Sequence, residues 1–221
     1  MTPEERENLR SKDRVNPITR EKRFIFSLLP TRGKFIDIGC GYGNWICNYC
    51  GRSHRAFWHL NLDITGVDFS RVTVNKCLKD GQNVIQMDVD KGLKFEDNSF
   101  DGAIMLESLE HFFDPIFVLK ETHRILKPGG QLFITVPNNF TLRKRLRAFI
   151  KGDIQLYFYK ILGQCKHHTI VSWELMEYML KDFKIEPYFF VGNWITQNRF
   201  LGRMFTRMFM IKAQARCLEK H

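Results

Sequence analysis

Short apolar runs closed by glycine or an acidic residue alternate with amphipathic stretches along most of this chain. "KFIDIG" (34–39), "DITGVD" (63–68), "NVIQMD" (83–88), "FDGAIMLE" (100–107) and "QLFITVP" (131–137) each have the length and composition of a buried strand. Helical patterns fill the intervals. "NWICNYCGRSHRAFWHL" reads as a helix and link, and "PIFVLKETHRIL" sets Ile116, Leu119, His123 and Leu126 at helical spacing before "KPGG" closes it. "SWELMEYMLKDF" predicts a later helix capped by Ser172, with Leu175 where a capping box would hold an acid and Glu174 one position short. "KIEPYFFVG" and "RMFMIKAQARC" read as two closing strands. Residues 1–30 suggest a helical extension ended by Pro30, leaving 31–221 as one domain. Alternating strands and helices predict an α/β fold with a mostly parallel sheet and helices on both faces.

The densest chemistry lies in "FIDIGCGYGN" (35–44), three glycines directly after an apolar run. Glycine inside regular structure costs about 0.5–1 kcal/mol relative to alanine, so such a cluster points to a sharp turn, a positive φ or a ligand against the main chain. Ligands of open parallel sheets sit at the carboxyl ends of the strands. Gly39, Gly41 and Gly43 leave the first strand there, and the helix that follows offers free N–H groups. Asp68 ends the second strand, where a carboxylate can take two ribose hydroxyls. Asp88 ends the third, and Glu107 and Ser108 leave the fourth beside the same cleft.

Composition narrows the partners. The chain of 221 residues has 34 Lys and Arg against 24 Asp and Glu, a net charge of +10 that suits an anionic partner such as RNA, anionic lipid or a phosphorylated metabolite. No apolar run reaches the roughly 18–20 residues that span a bilayer, and the polar start "MTPEERENLRSKDR" fits neither a secretory nor a transit peptide. A cytoplasmic protein, peripheral to a membrane at most, is the expectation. The six cysteines are scattered. "CNYC" (47–50), with His54 nearby, resembles half a zinc site without a second pair, and helix-face cysteines near a core are the better reading.

A glycine turn alone is shared with nicotinamide and flavin enzymes. The nicotinamide fingerprint, however, prefers a third glycine one position beyond Gly43 and an acid about 20 residues on; Asp68 comes later. Here the turn arrives with acids at two further strand ends and "LKPGG" before the fifth strand. "DIGCGYGN", "ITGVDFS", "MDVDKGLKFEDNSFDGAIMLESLEH" and "RILKPGGQLFITVPN", in that order, resemble the class I S-adenosylmethionine-dependent methyltransferases over roughly residues 33–190. The resemblance implies a Rossmann-like seven-stranded sheet whose last strand is antiparallel, between the fifth and sixth. It implies S-adenosyl-L-methionine as cofactor, with the methionine moiety by Gly39–Gly43, the ribose on Asp68 and the adenine near Asp88 and Phe69. The full candidate cofactor set is Asp37, Gly39, Cys40, Gly41, Tyr42, Gly43, Asp68, Phe69, Ser70, Asp88, Val89, Leu106 and Glu107.

"ESLEH" sets Glu107, Glu110 and His111 at i, i+3 and i+4, and His167 and His168 precede the helix begun by Ser172. On one helix face the first three would converge. The pattern resembles ubiquinone-pathway O-methyltransferases, and also the enzymes that 2′-O-methylate small-RNA 3′ ends. In the latter such residues hold Mg²⁺, making Glu107, Glu110, His111 and His168 a candidate metal set. The alternative, favoured here, is metal-free: His111 takes the acceptor's proton, with Glu107 or His168 behind it, since an imidazole titrates near about pH 6.5. His54, His59 and His123 read as packing or surface. Between the fifth strand and the late helix, residues 140–168 form a basic insertion. Leu142, Leu146, Phe149 and Ile150 share one helix face, and Arg143, Lys144, Arg145, Arg147 and Lys151 line the rest. It could be a solvated cover, a membrane-surface helix or a phosphate-gripping lid for RNA, with Tyr157, Phe158 and Tyr159 available to stack; DNA is not expected. The expected function is O-methylation of a small or lipid- or sugar-linked molecule. RNA 2′-O-methylation and a cofactor-binding protein without turnover are the alternatives.

Overall fold

The computed structural model describes residues 20–41, 61–151, 168–191, 194–206 and 208–216. Its strands are β1 (Arg32–Ile38), β2 (Asn61–Asp68), β3 (Val84–Gln86), β4 (Phe100–Leu106), β5 (Leu126–Pro137), β6 (Phe183–Val191), β7 (Trp194–Thr196) and β8 (Met208–Ala215). They form one sheet in the order β3-β2-β1-β4-β5-β8-β6-β7. β1 pairs in parallel with β2 and β4, β2 with β3, and β4 with β5. β8 is antiparallel to both β5 and β6, as expected of the last strand. Eight strands replace the expected seven, because "WIT" folds back on the end of β6 as a short antiparallel edge. β5 also starts earlier than its apolar run suggests. Leu126 already pairs with Phe100, and the register shifts before Gly102 meets Gln131, so "KPGG" is an irregular entry into the strand.

Near-continuous apolar character in β1 and β4 reflects burial on two faces. On one face Ile36, Ile38, Ala103, Met105, Leu132 and Ile134 pack with α3 (Pro115–Ile125) and α5 (Trp173–Met179). On the other, Phe35, Ile104 and Phe133 pack with Ile25 and Phe26 of α1 (Arg20–Ser27). Caps fix where helices begin. The Ser70 hydroxyl accepts from Thr73 N at the start of α2 (Arg71–Lys79), Asp114 accepts from Phe117 N before Pro115, and Ser172 accepts from Leu175 N. Ser172 therefore caps without the reciprocal acid of a capping box. Two further helices of the described residues are α4 (Leu142–Lys151) and α6 (Arg199–Phe205). Among the described residues no helix is long and apolar enough to cross a membrane.

Candidate active site

The strand order reverses between β1 and β4, so the crevice lies where Gly39, Asp68 and Glu107 leave their strands. Gly39 and Gly41 have φ of +72° and +57°, a region L side chains avoid. Their reasons differ. A Cβ on Gly39 would meet Ser108 Cβ at 2.7 Å, whereas one on Gly41 would meet nothing within 4 Å. Gly39 is close packing between β1 and the end of β4; at Gly41 the positive φ, and not a close neighbour, calls for glycine.

Asp68 builds the rim. One carboxylate oxygen accepts from Gly41 N (2.9 Å) and the other from Ser70 N (2.8 Å), and Gly39 N and Cys40 N donate to Val67 O. The glycine loop is thus tied to the end of β2. Below it, the Cys40 and Cys77 thiols both donate to Gly41 O, at 3.6 and 3.5 Å, and burial first, then the Asp68 charge, pushes the Cys77 thiol up to about 11. Asp37 is buried in β1. Phe69 is exposed beside Asp68, with its carbonyl accepting from Gln86 Nε2. Asp88 is half-buried and salt-bridged to Lys91 at 3.0 Å, while the side chains of Val89 and Leu106 belong to the core. Free space beside Gly41, a rim carboxylate and an exposed aromatic fit an aminocarboxypropyl group, a ribose and a base. Tyr42 and Gly43, like Cys47, Cys50, His54, His59, His167 and Tyr157–Tyr159, lie outside the described residues.

Beyond β4 the chain turns sharply. Glu107 has φ +55°, and its N–H is held by Thr135 O and Thr135 Oγ1 (2.9 and 3.1 Å). Ser108 Oγ donates to Ile38 O, and Leu109–His111 forms a 3₁₀ turn. The helix-face spacing expected for Glu107, Glu110 and His111 therefore does not apply: Glu107 precedes the turn, Glu110 is buried and His111 is exposed. Among the described residues no group of three or more His, Cys, Asp or Glu is arranged to hold a metal, so the quartet with His168 is not assembled as a ligand set.

His168 nevertheless arrives beside this turn. His168 N and Thr169 N donate to Glu110 O (2.9 and 3.2 Å), and the His168 ring stacks on exposed Phe113 with centroids 4.1 Å apart. Asp90, unremarked in the sequence, holds the same segment by accepting from Phe113 N and Asp114 N. Its signal was present in the second acid of "DVDK", two residues beyond Asp88. Lys144 was also missed as a site residue. Its ammonium reaches Asn138 O and Asn139 Oδ1 at the end of β5, and burial lowers its pKa. His123 lies elsewhere, with Nε2 at 3.1 Å from Arg216 O and its ring edge-on to Phe183, and serves packing.

Known proteins resemble this chain in sequence and in fold. A methyltransferase-domain family profile matches residues 10–182. An O-methyltransferase (cnsE) of Penicillium expansum is 32% identical over 108 residues, 48% of this chain and 39% of that protein. A ubiquinone biosynthesis O-methyltransferase of Xanthomonas oryzae is 26% identical over 162 residues, 70% of this chain and 62% of its own length. The chain thus spans less than two thirds of these relatives. A solved Thermotoga maritima structure, described as an S-adenosylmethionine-dependent methyltransferase and possible histamine N-methyltransferase, superposes with a TM-score of 0.62 at 24% identity, covering 89% of this chain and 88% of that one. The chain belongs to the methyltransferase-domain family, on the class I S-adenosylmethionine-dependent methyltransferase fold.

Proposed function

We propose that the chain transfers a methyl group from S-adenosylmethionine to an oxygen of a small or lipid- or sugar-linked molecule. The observation that carries this reading is the meeting of two separate segments at the crevice: Glu110 O draws in the backbone of His168 and Thr169, next to strained Glu107 and exposed His111. O-methyltransferases among the relatives agree with oxygen as the acceptor atom. The bound cofactor supplies an electrophilic methyl on a good leaving group. The chain's residues have to align the acceptor and accept its proton. Gly39, Gly41 and Asp68 seat the cofactor. Exposed Phe113, stacked on His168, offers a flat apolar wall for the acceptor, and His111 takes the proton with Glu107 or His168 behind it. The mechanism is metal-free.

The test incubates the protein with methyl-labelled cofactor and pools of metabolites or RNA, with and without chelator. Label in a small molecule, insensitive to chelator, with an acidic limb of the pH–rate profile that His111→Asn removes, is the expected result. Label in RNA, rescue of a chelated enzyme by Mg²⁺, or cofactor binding without any transfer would each overturn it.

A further inference from the structure

α4 and α6 carry large apolar side chains that stand exposed among the described residues. Phe149 is 82% and Ile150 80% exposed, and Leu146, Phe200, Leu201 and Phe205 are exposed as well. The two helices touch one another. Neither contains an acidic residue, and the exposed Arg143, Arg145 and Arg147 stand among the apolar positions of α4. Ten residues of α-helix extend only about 15 Å, too short to cross a bilayer but long enough to lie along one.

The position of this exposed surface is fixed relative to the crevice. Asn138 Nδ2 donates to Thr206 O, joining the end of β5 to the end of α6, and Lys144 of α4 grips Asn138 O and Asn139 Oδ1. Three residues before Asn138, Thr135 holds the N–H of Glu107. The exposed surface is therefore anchored at the same strand end as the candidate acceptor site.

We infer that α4 and α6 dock the protein on an anionic lipid bilayer, with Leu146, Phe149, Ile150, Phe200 and Phe205 entering the acyl boundary and Arg143, Arg145 and Arg147 meeting headgroup phosphates. Resting on the methyl-transfer reading above, this names the acceptor class as a lipid-soluble molecule taken from the membrane. The side-chain chemistry selects a bilayer over RNA. Leucine and isoleucine offer nothing to a phosphate chain or to base edges, and their exposure beside arginines is the composition of an interfacial helix.

The test is flotation of the full chain with vesicles of phosphatidylcholine alone or mixed with phosphatidylglycerol, at physiological salt. Strong flotation only with the anionic vesicles is expected. Phe149→Ser with Ile150→Ser, and separately Arg143→Glu with Arg147→Glu, should each lower partitioning at least about tenfold. Both variants should bind S-adenosylhomocysteine like the parent in calorimetry, which shows that they are folded. Absence of flotation, equal flotation of parent and variants, binding of single-stranded RNA without flotation, or a dimer that dissociates on Phe149→Ser without flotation would each overturn the docking proposal. Failure of the parent chain to bind S-adenosylhomocysteine would instead remove the methyl-transfer reading, because flotation does not depend on it.

Discussion

Glu107 holds a left-handed backbone that glycine would adopt without strain; only Asn98 does the same among the other described non-glycine residues. For an L residue this conformation costs about 1–2 kcal/mol. Thr135, with its carbonyl and hydroxyl both on Glu107 N, holds the turn in place. Strain kept at a site is a mark of function when the surroundings enforce it. Glu107→Gly should therefore be more stable than Glu107→Ala by about 1 kcal/mol in urea unfolding, with both variants losing turnover. Equal stability would mean that the turn stores nothing. Asp68 has a double duty, since its carboxylate holds the N–H groups of Gly41 and Ser70 as well as facing the crevice. Asp68→Ala should weaken S-adenosylhomocysteine at least tenfold, about 1.4 kcal/mol. Unchanged calorimetric affinity would remove Asp68 from the site. Gly39, Gly41 and Asp68 were legible as candidates because they sit at strand ends that apolar runs mark. Glu107's φ and Asp90's grip on the Phe113 segment were not, since both are imposed by neighbours distant in sequence.

At the scale of elements, one side chain fastens α3 to the segment before β4. Arg124 donates to Leu93 O and Phe95 O and pairs with Glu121 and Asp97. The guanidinium hydrogen bond, aided by Leu93 N–H, holds the Glu121 carboxyl below its ordinary 4.5. A lowered carboxylate pKa contributes stability above the ordinary value, and that contribution is lost as pH falls through the folded-state value. Arg124→Gln should thus cost about 1–3 kcal/mol near neutral pH, less than a fully buried pair because the cluster is partly solvated. Urea midpoints should show the gap to the parent narrowing below about pH 4.5. A gap independent of pH would assign the loss to packing alone. Such clamps are invisible to periodicity, which sees only that "ETHRIL" is helical. The same limit explains β7 and α6. Three residues of strand are too short for an alternation pattern, and Gly202 interrupts the helical signal of "RFLGRMF". "ESLEH" failed as a helix face for a related reason: a strand end closed by Thr135 leaves room for a single 3₁₀ turn only.

Over the whole molecule, the last described strand occupies an interior place. β8 lies between β5 and β6, and periodicity alone could show that it is a strand but not where it inserts; that order came from the resemblance of the motifs. Its two faces belong to different cores. Ile211 packs with Phe209, Ala213, Trp173 and Phe189 on one side of the sheet, and Met210 packs with Phe35, Phe133 and Ile25 on the other. Trp173 meets Phe189 and Phe209 edge-on at 5.3 and 5.5 Å, so an emptied neighbour position closes poorly. Ile211 has no exposed surface, and its removal leaves a cavity at the join between the parallel half and the β6–β7 hairpin. Ile211→Ala should therefore destabilise the fold by about 2–5 kcal/mol. The candidate cofactor residues Gly39, Gly41 and Asp68 leave β1 and β2, three or more strands away in the sheet, and sites without shared partners act independently. S-adenosylhomocysteine affinity of the folded variant should match the parent. A cost below about 1 kcal/mol would show that β8 is not an integral strand of the core. An affinity loss in the folded variant would show instead that the two halves of the sheet are energetically coupled through β5, where Thr135 meets Met210 on one edge and supports Glu107 on the other.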